Sequence, residues 1–362
     1  MSGTSLDGLD IALCQFNDQG LPNVVHAQTV PLPLSLYTKL SQLSQHAQAN
    51  EAHLVAVADR EFAMFCADAV TQFLAAHRIA QQQVVAIGSH GQTIRHMPEH
   101  APAYTLQIGC PSTIAARSEI DVIANFRQKD IALGGQGAPL APAFHHAIFK
   151  PQAGAHGVLN IGGIANLTVL PEHGDVIGFD TGPGNCLLDS WFSLHHPHSP
   201  AHYDKDGQFA AQGVVLNDCL TSLLADPYFA KQGPKSSGRE YFDLNWVHAH
   251  LVGNERPCDV QRTLLELSAL TIANQLQYYQ LTRCYLCGGG VHNPLLVSRI
   301  TELTAPRCSI ESSSQLGVDP DWVEAVAFAW LAWCFKQQRT SSLASVTGAT
   351  RNAILGGFFP AA

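Results

Sequence analysis

Two glycine-rich turns constrain the fold of this chain more than any other feature. The first is Met1-Ser-Gly-Thr-Ser-Leu-Asp-Gly8 and the second is Asn160-Ile-Gly-Gly-Ile-Ala-Asn166. Each turn runs directly into an apolar or alternating stretch, which begins at Leu9 and at Leu167 respectively. Because glycine has no Cβ, such turns let successive main-chain N–H groups approach an anion. The pair predicts two similar lobes that face one another across a phosphate, although either turn alone is more typical of a tight hairpin.

Composition limits the classes of protein to which the chain can belong. Its 362 residues suffice for two domains, and 46% hydrophobic against 14% charged residues predict a large core. The net charge of −9 argues against a general binder of nucleic acids or membrane surfaces. We expect no membrane span and no secretory signal. The ten cysteines lie scattered in apolar stretches, which is typical of reduced thiols in a cytoplasmic protein.

Hydrophobic periodicity predicts alternating strands and helices, and therefore an α/β fold. The predicted strands are 9–16, 84–88, 104–108, 122–124, 158–161, 165–170, 176–179 and 283–287. The predicted helices are 52–77, 143–149, 187–192, 264–279 and 323–335. The segment Ser89-His-Gly-Gln-Thr93 is predicted to be a loop at the carboxyl end of a strand, where open α/β sheets usually bind ligands.

Two further segments carry candidate chemistry. Asp180 follows a predicted strand and precedes a rigid Gly-Pro-Gly turn, where a carboxylate can take a proton from a hydroxyl or water. The alternative for Asp180 is an Asx turn or a helix cap. The triplet Gly288-Gly-Gly290 ends a predicted strand and lets a flat adenine ring lie against the backbone; the alternative is a crowded strand-to-helix turn.

In this order, these elements resemble the superfamily of sugar kinases, Hsp70 and actin, and one family within it in particular. The segments Met1–Asp10, Ser89–Thr93, Gly134–Pro139, Asn160–Asn166, Phe179–Asn185 and Lys235–Glu240 are similar to those of anhydro-N-acetylmuramic acid kinases. Ser237 stands where the family has threonine, so the hydroxyl is kept. The resemblance implies a two-lobed actin/hexokinase-like (ribonuclease H-like) fold with an ATP cleft between the lobes. We expect the first lobe to comprise 1–127 and 347–362, and the second to comprise 128–346.

The activity implied by the resemblance is an ATP- and Mg²⁺-dependent one. It converts 1,6-anhydro-N-acetylmuramic acid and water into N-acetylmuramic acid 6-phosphate and ADP, in the recycling of bacterial cell-wall sugar. Two alternatives stay open: a related kinase that phosphorylates an ordinary hydroxyl, and a nucleotide-dependent sugar sensor without turnover. A homodimer is also implied by the resemblance alone. Because the first motif starts at residue 1, we expect the natural chain to start a few residues upstream, with a strand before the motif.

Site residues follow from the motifs. Asp180 is the expected base, and Glu324 is expected to help position the water, although an acidic residue in a first helical turn is also favourable by itself. The expected ATP- and phosphate-binding residues are Gly3, Thr4, Ser5, Leu6, Asp7, Gly8, Asp10, Asn160, Gly162, Gly163, Asn166, Gly182, Gly184, Asn185, Gly288, Gly289 and Gly290. Asp7 is the expected magnesium ligand.

The expected sugar-binding residues are His90, Gln92, Gln107, Arg127 and Asp130. For His90 the alternative is a buried structural histidine. Arg127, Arg239 and Lys235 are candidate sources of local positive charge for anionic substrates, and the alternative for each is a surface salt bridge.

Overall fold

The computed structural model of the chain describes residues 1–3, 6, 8–44, 50–149, 153–231, 233, 235–238 and 241–362. The described strands are β1 (Leu9–Phe16), β2 (Pro22–Val30), β3 (Ile87–Gly88), β4 (Gln92–Met97), β5 (Tyr104–Ile108), β6 (Val122–Ala124), β7 (His156–Ile161), β8 (Ile164–Leu170), β9 (Ile177–Pro183), β10 (Arg283–Cys287), β11 (Ser309–Ser312) and β12 (Gly357–Phe359). The described α-helices are α1 (Leu34–Ser44), α2 (Glu51–Ala76), α3 (Pro111–Ser118), α4 (Phe126–Ala132), α5 (Ala141–Ile148), α6 (Cys186–His195), α7 (Asn217–Leu224), α8 (Pro227–Ala230), α9 (Leu244–His248), α10 (Pro257–Tyr278), α11 (Pro294–Thr304), α12 (Val323–Lys336) and α13 (Ala344–Thr347). The expected α/β class is confirmed.

The chain forms two compact units. The first comprises residues 1–148 and 324–362, and the second comprises residues 149–323. These bounds differ from the expected ones, because 128–148 and 324–346 lie in the first unit. Within that unit the backbone of α12 packs directly on β3: a Cβ at Gly88 would lie 2.3 Å from the carbonyl oxygen of Phe328. The rings of Phe144 on α5 and Trp330 on α12 lie 5.9 Å apart.

The second unit is built on a sheet whose described strands run in the order β11-β10-β7-β8-β9. β7 and β8 form an antiparallel hairpin, as the second glycine turn predicts, and β9 continues it. β10 runs parallel to both β7 and β11. Helix α10 begins with Pro257, whose fixed φ suits a first helical turn, and most of its residues are buried in a core cluster that also contains residues of this sheet. The hairpin and β9 therefore lie on a large apolar core.

The first unit contains three small sheets among the described residues: β1 with β2, β12-β6-β3, and β4 with β5. Helix α2 buries Ala58, Phe62, Cys66, Ala69 and Phe73, a spacing of three and four residues that places them on one face. Its first four members join apolar residues of α1, α3 and β6 in one core cluster, and Phe73 belongs to a smaller cluster with Ile120. No helix in the described part of the chain is long and apolar enough to cross a membrane.

Three predictions on secondary structure are wrong in detail. The strand expected at 176–179 continues through Pro183 as β9, so Asp180 lies inside a strand, and Gly182 and Pro183 pair with β8 instead of forming a turn. The expected strand 84–88 is reduced to β3, because residues 81–83 form a 3₁₀ turn that leads into it. The loop expected at 89–93 ends earlier, because Gln92 already pairs with Ile108 in the β4–β5 ladder. Strand β2, which was not predicted, pairs with the whole of β1.

Candidate active site

The second glycine turn is fastened to the turn that follows Asp180. The main-chain N–H of Gly184 donates to the carbonyl of Gly163 (2.9 Å), and that of Asn185 donates to the carbonyl of Gly162 (2.8 Å). A Cβ at Gly184 would lie 2.3 Å from the oxygen of Gly162, so the close approach requires glycine there. The Asn185 side chain donates to the carbonyl of Ile161 (3.3 Å). The hairpin turn and the start of α6 thus form one rigid piece.

Asp180 lies on β9, opposite Asn166 of β8 in the sheet register. Its Oδ2 accepts a 2.9 Å hydrogen bond from the main-chain N–H of Ser237. Its own N–H donates to the carbonyl of Lys235 (2.9 Å), and its carbonyl accepts from the phenol of Tyr228 (2.8 Å). Among the described residues, no hydrogen bond reaches the other carboxylate oxygen, Oδ1.

The electrostatics of Asp180 suit a base that works near neutral pH. Burial raises the pKa of Asp180 to about 6, against the opposing effects of the Ser237 N–H and the Lys235 ammonium. The Lys235 ammonium lies 4.5 Å above the ring of Tyr228 and donates to that residue's carbonyl (3.1 Å). Burial lowers the pKa of Lys235, and the neighbouring Lys231 lowers it further, while Asp180 raises it. A carboxylate with this pKa is ionised at pH 7 and basic enough to accept a proton.

The glycine triplet lies beside the end of β7. Gly288 has a φ of +80°, and a Cβ there would lie 2.1 Å from Oδ1 of Asn160. A Cβ at Gly290 would lie 2.2 Å from the Ile161 side chain, whereas one at Gly289 would meet no described atom within 4 Å. The triplet is therefore packed against β7 at two positions and open at the middle one. The second unit thus brings together the residues predicted to bind nucleotide that it contains: Asn160, Gly162, Gly163, Asn166, Gly182, Gly184, Asn185 and Gly288–Gly290.

In the first unit, the buried His90 pairs with the half-buried Arg127. Nε of Arg127 donates to Nε2 of His90 (3.2 Å), and Nη2 of Arg127 lies 3.0 Å from the same nitrogen. On the other side of the ring, Nδ1 of His90 lies 3.2 Å from the carbonyl oxygen of Ser2. Because Nε2 accepts, Nδ1 carries the proton and the ring is neutral. Burial lowers the pKa of His90 well below its usual range, and Arg127 lowers it further. Burial lowers the pKa of Arg127 to about 10, while the negative charges of Glu324 and Asp130 raise it. The guanidinium therefore stays charged at neutral pH.

Three buried oxygens near this pair have no hydrogen-bond partner among the described residues. They are Oγ of Ser2, Oε1 of Gln92 and Oε1 of Gln107. The amide nitrogens of both glutamines are held, that of Gln92 by the carbonyl of Gly3 (3.3 Å) and that of Gln107 by the hydroxyl of Thr105 (2.7 Å). Two fixed carbonyl oxygens that need donors suit the hydroxyl and amide N–H groups of a sugar.

Asp130 is fully buried and bonded on both oxygens. Oδ2 accepts from the N–H of Gly137 (2.7 Å) and Oδ1 from the hydroxyl of Thr347 (2.8 Å). A Cβ at Gly135 would lie 2.3 Å from the same carboxylate. These contacts give Asp130 the function of holding the glycine loop 134–137 against α13; its contact with sugar stays a prediction.

The first glycine turn is described in part. Thr4, Ser5, Asp7 and Arg239 lie outside the described residues. The N–H of Asp10 donates to the carbonyl of Met1 (2.8 Å), and its carboxylate accepts from Thr29 (2.7 Å). Gly8 packs against β2, since a Cβ there would lie 2.6 Å from the Thr29 side chain. Leu6 has a φ of +60° and donates its N–H to the carbonyl of Gly3 (3.3 Å).

Glu324 is at the start of α12, in the first unit. The residue is exposed to solvent. Across the described residues, no group of three or more His, Cys, Asp or Glu side chains is arranged to hold a metal ion.

Two residues that the sequence did not single out contact the predicted ones: Tyr228, which contacts Asp180, and Thr347, which contacts Asp130. Both contacts join positions far apart in the chain, so no local pattern marks them. For the segment that contacts Asp180, the sequence offered one signal, the motif that contains Lys235 and Ser237.

Comparisons with known proteins show the family of the chain. The model of the family described as anhydro-N-acetylmuramic acid kinase matches residues 1–361. The chain belongs to this family. It is 47% identical to the anhydro-N-acetylmuramic acid kinase of Idiomarina loihiensis over 98% of this chain and 96% of that protein. It is also 47% identical to that of Shewanella pealeana, over 100% of this chain and 97% of that protein.

A comparison of structures finds the xylulose kinase of Rhodospirillum rubrum at 15% identity and a TM-score of 0.32, over 62% of this chain and 48% of that chain. A likeness of this size carries no argument about the site. The family assignment depends on the full-length sequence match.

Proposed function

We propose that this member of the anhydro-N-acetylmuramic acid kinase family converts 1,6-anhydro-N-acetylmuramic acid, water and ATP into N-acetylmuramic acid 6-phosphate and ADP. The observation that carries the proposal is Asp180. Its main chain and carboxylate make three hydrogen bonds, with Lys235, Tyr228 and Ser237, and burial raises its pKa to about 6. The full-length match to the family supports the choice of substrate.

The reaction needs one base and two bond exchanges. Asp180 takes a proton from water, and the water oxygen bonds to the anomeric carbon C1 as the C1–O6 bond breaks. The electron pair of that bond stays on O6, which then attacks the γ-phosphorus of ATP while the bond to the β-phosphate oxygen breaks. The chain's main contribution is then orientation and charge stabilisation, as in other phosphoryl transfers.

We assign the sugar contacts to the first unit. The unpartnered oxygens of Gln92 and Gln107 accept from the sugar's hydroxyl and amide groups, and the charged Arg127 attracts its lactyl carboxylate. His90 holds Arg127, and Asp130 holds the loop that carries Gly137, whose carbonyl accepts from Nη1 of Arg127 (2.9 Å). Glu324 is proposed as the second acid, which helps to position the water.

We assign the nucleotide contacts to the glycine turns and the triplet. The adenine lies against Gly289, the open position of the triplet, and the phosphates lie against the turn at Gly162 and Gly163. The magnesium ion that accompanies ATP supplies charge neutralisation on the phosphates. Asp7, its proposed ligand, lies outside the described residues. Cytoplasmic location and a homodimer belong to this proposal as expectations from the family.

A coupled assay of ADP release tests the proposal. With ATP and magnesium, 1,6-anhydro-N-acetylmuramic acid should support turnover, whereas N-acetylmuramic acid and N-acetylglucosamine should not. The same reaction in ¹⁸O-labelled water should place one label at C1, and product incubated alone in that water measures background exchange. Turnover without label would favour a kinase that acts on an ordinary hydroxyl. An absence of sugar-dependent turnover would favour a sensor.

A further inference from the structure

Ser237 presents two different polar groups at Asp180. Its main-chain N–H donates to Oδ2 of Asp180 at 2.9 Å. Its hydroxyl oxygen is buried and has no hydrogen-bond partner among the described residues. A buried hydroxyl without a partner costs free energy of folding, so it calls for an explanation.

The position of this hydroxyl is fixed by the loop 235–238 rather than by the side chain alone. The carbonyl of Lys235 accepts from the N–H of Asp180 (2.9 Å), which ties the start of the loop to β9. The carbonyl of Gly238 accepts from the N–H of Tyr241 (3.1 Å), which ties its end to the next turn. With Ser237 bonded to Asp180 between these points, its Cβ has little freedom relative to the carboxylate.

The Tyr228 phenol also lies close to the Ser237 side chain. Burial raises the pKa of Tyr228, and the interaction with Ser237 lowers it. The phenol donates its proton to the main-chain carbonyl of Asp180 (2.8 Å). By distance and angle no hydrogen bond joins the two side chains, so Oγ of Ser237 has no partner among the described residues. The hydroxyl therefore stays available to a group that binds beside Asp180.

We propose that the Ser237 hydroxyl contacts the reacting water and orients it for the proton transfer to Asp180. This inference rests on the proposed function. A bound water usually makes two to four hydrogen bonds, so contacts beyond Asp180 and the proposed Glu324 still help to fix its orientation. A contact from Ser237 fixes the direction of the oxygen lone pair toward C1. Ser237 thereby completes the site whose base is Asp180.

The experiment compares Ser237→Ala with Ser237→Thr and with Ser236→Ala. Every variant keeps the main-chain N–H that donates to Asp180. A difference between Ser237→Ala and Ser237→Thr therefore reports on the hydroxyl alone. Ser236 is the exposed neighbour in the same loop and serves as the matched control. We expect Ser237→Ala to lower kcat for sugar-dependent ADP release roughly 10- to 100-fold. Ser237→Thr should restore most of the rate, and Ser236→Ala should equal the parent chain.

Two further readouts separate this role from a structural one. Removing an unpartnered hydroxyl should leave the thermal midpoint of Ser237→Ala equal to or above that of the parent. The acidic limb of its pH–rate profile should stay in place, because the bond to Asp180 is unchanged. A lower midpoint, a variant that does not fold, or a shifted limb would contradict the inference, since each shows that the hydroxyl acts on the fold or on Asp180.

Failure of this inference and failure of the proposed function look different. Full activity in Ser237→Ala, with an active parent and an inactive Asp180→Asn, overturns the role of Ser237 alone. A parent chain that releases no ADP in response to the anhydro sugar overturns the proposed function and with it this inference.

Discussion

Two carboxylates that the sequence singled out, Asp130 in the first unit and Asp180 in the second, have opposite environments. Asp130 is fully buried and accepts one hydrogen bond on each oxygen, from Gly137 and Thr347. Asp180 is half-buried and accepts a described bond on Oδ2 alone, from Ser237. Burial raises the pKa of Asp180 to about 6. A carboxylate with both oxygens occupied holds loops in place, whereas one with an oxygen left over and a raised pKa can accept a proton.

The sharpest way to break this comparison is Asp180→Asn. An amide cannot take a proton from water, so kcat for sugar-dependent ADP release should fall about 10³-fold. The same assay on the parent chain is the reference. Near-full activity in this variant would show that Asp180 is not the base.

The same variant should stabilise the fold, and the effect should depend on pH. A pKa that is raised in the folded state means that Asp180 opposes folding fully above about pH 6, and that this opposition disappears below the unfolded pKa, at about pH 3, where the group is neutral in both states. Asp180→Asn should therefore gain about 1–2 kcal/mol in free energy of unfolding at pH 7.5, discounted for partial exposure, and close to nothing at pH 3. Urea unfolding at both pH values measures it. A loss of stability at pH 7.5 would contradict the raised pKa.

Asp130→Asn should lower the free energy of unfolding, in contrast to Asp180→Asn. If the amide nitrogen faces the Gly137 N–H, that buried donor loses its acceptor. If it faces the Thr347 hydroxyl, the hydroxyl must accept from it and donate instead to the Leu343 carbonyl over a long 3.5 Å. We expect a loss of about 2–3 kcal/mol in the free energy of unfolding. Thr347→Val, which removes one of the two bonds at a similar size, should show a smaller loss of the same sign. Unchanged stability in Asp130→Asn would remove the distinction between the two carboxylates.

The glycine triplet allows a smaller test on the nucleotide side. Gly289→Ala should leave the free energy of unfolding within about 0.5 kcal/mol, because the new Cβ meets no described atom within 4 Å. Its KM for ATP should rise several-fold if adenine lies against this position. Gly288→Ala is the matched contrast: its φ of +80° and the 2.1 Å approach to Asn160 predict a loss of stability of about 1–2 kcal/mol. An unchanged KM in Gly289→Ala would place the adenine elsewhere.

The sequence predicted some parts of this molecule well for physical reasons. The β7–β8 hairpin and the bounds of β1, β5, β6 and β10 follow from glycine turns and hydrophobic periodicity, which are local signals. Asp180 stood out because a carboxylate between a strand and a Gly-Pro-Gly turn is a local pattern too. The partners of these residues were not predictable. Tyr228 meets Asp180 across 48 positions of sequence and Thr347 meets Asp130 across 217, and such pairings are decided by tertiary packing.

The pH dependence of kcat/KM for the anhydro sugar, measured at saturating ATP and magnesium, tests the central claim most directly. A base must be ionised to act, so kcat/KM should rise with pH, with an acidic limb near pH 6, and level off above it. Asp130→Asn, assayed where it stays folded, should keep this limb because Asp180 is untouched. A rate that is flat from pH 5 to 8 in the parent chain would contradict the assignment of Asp180 as the base.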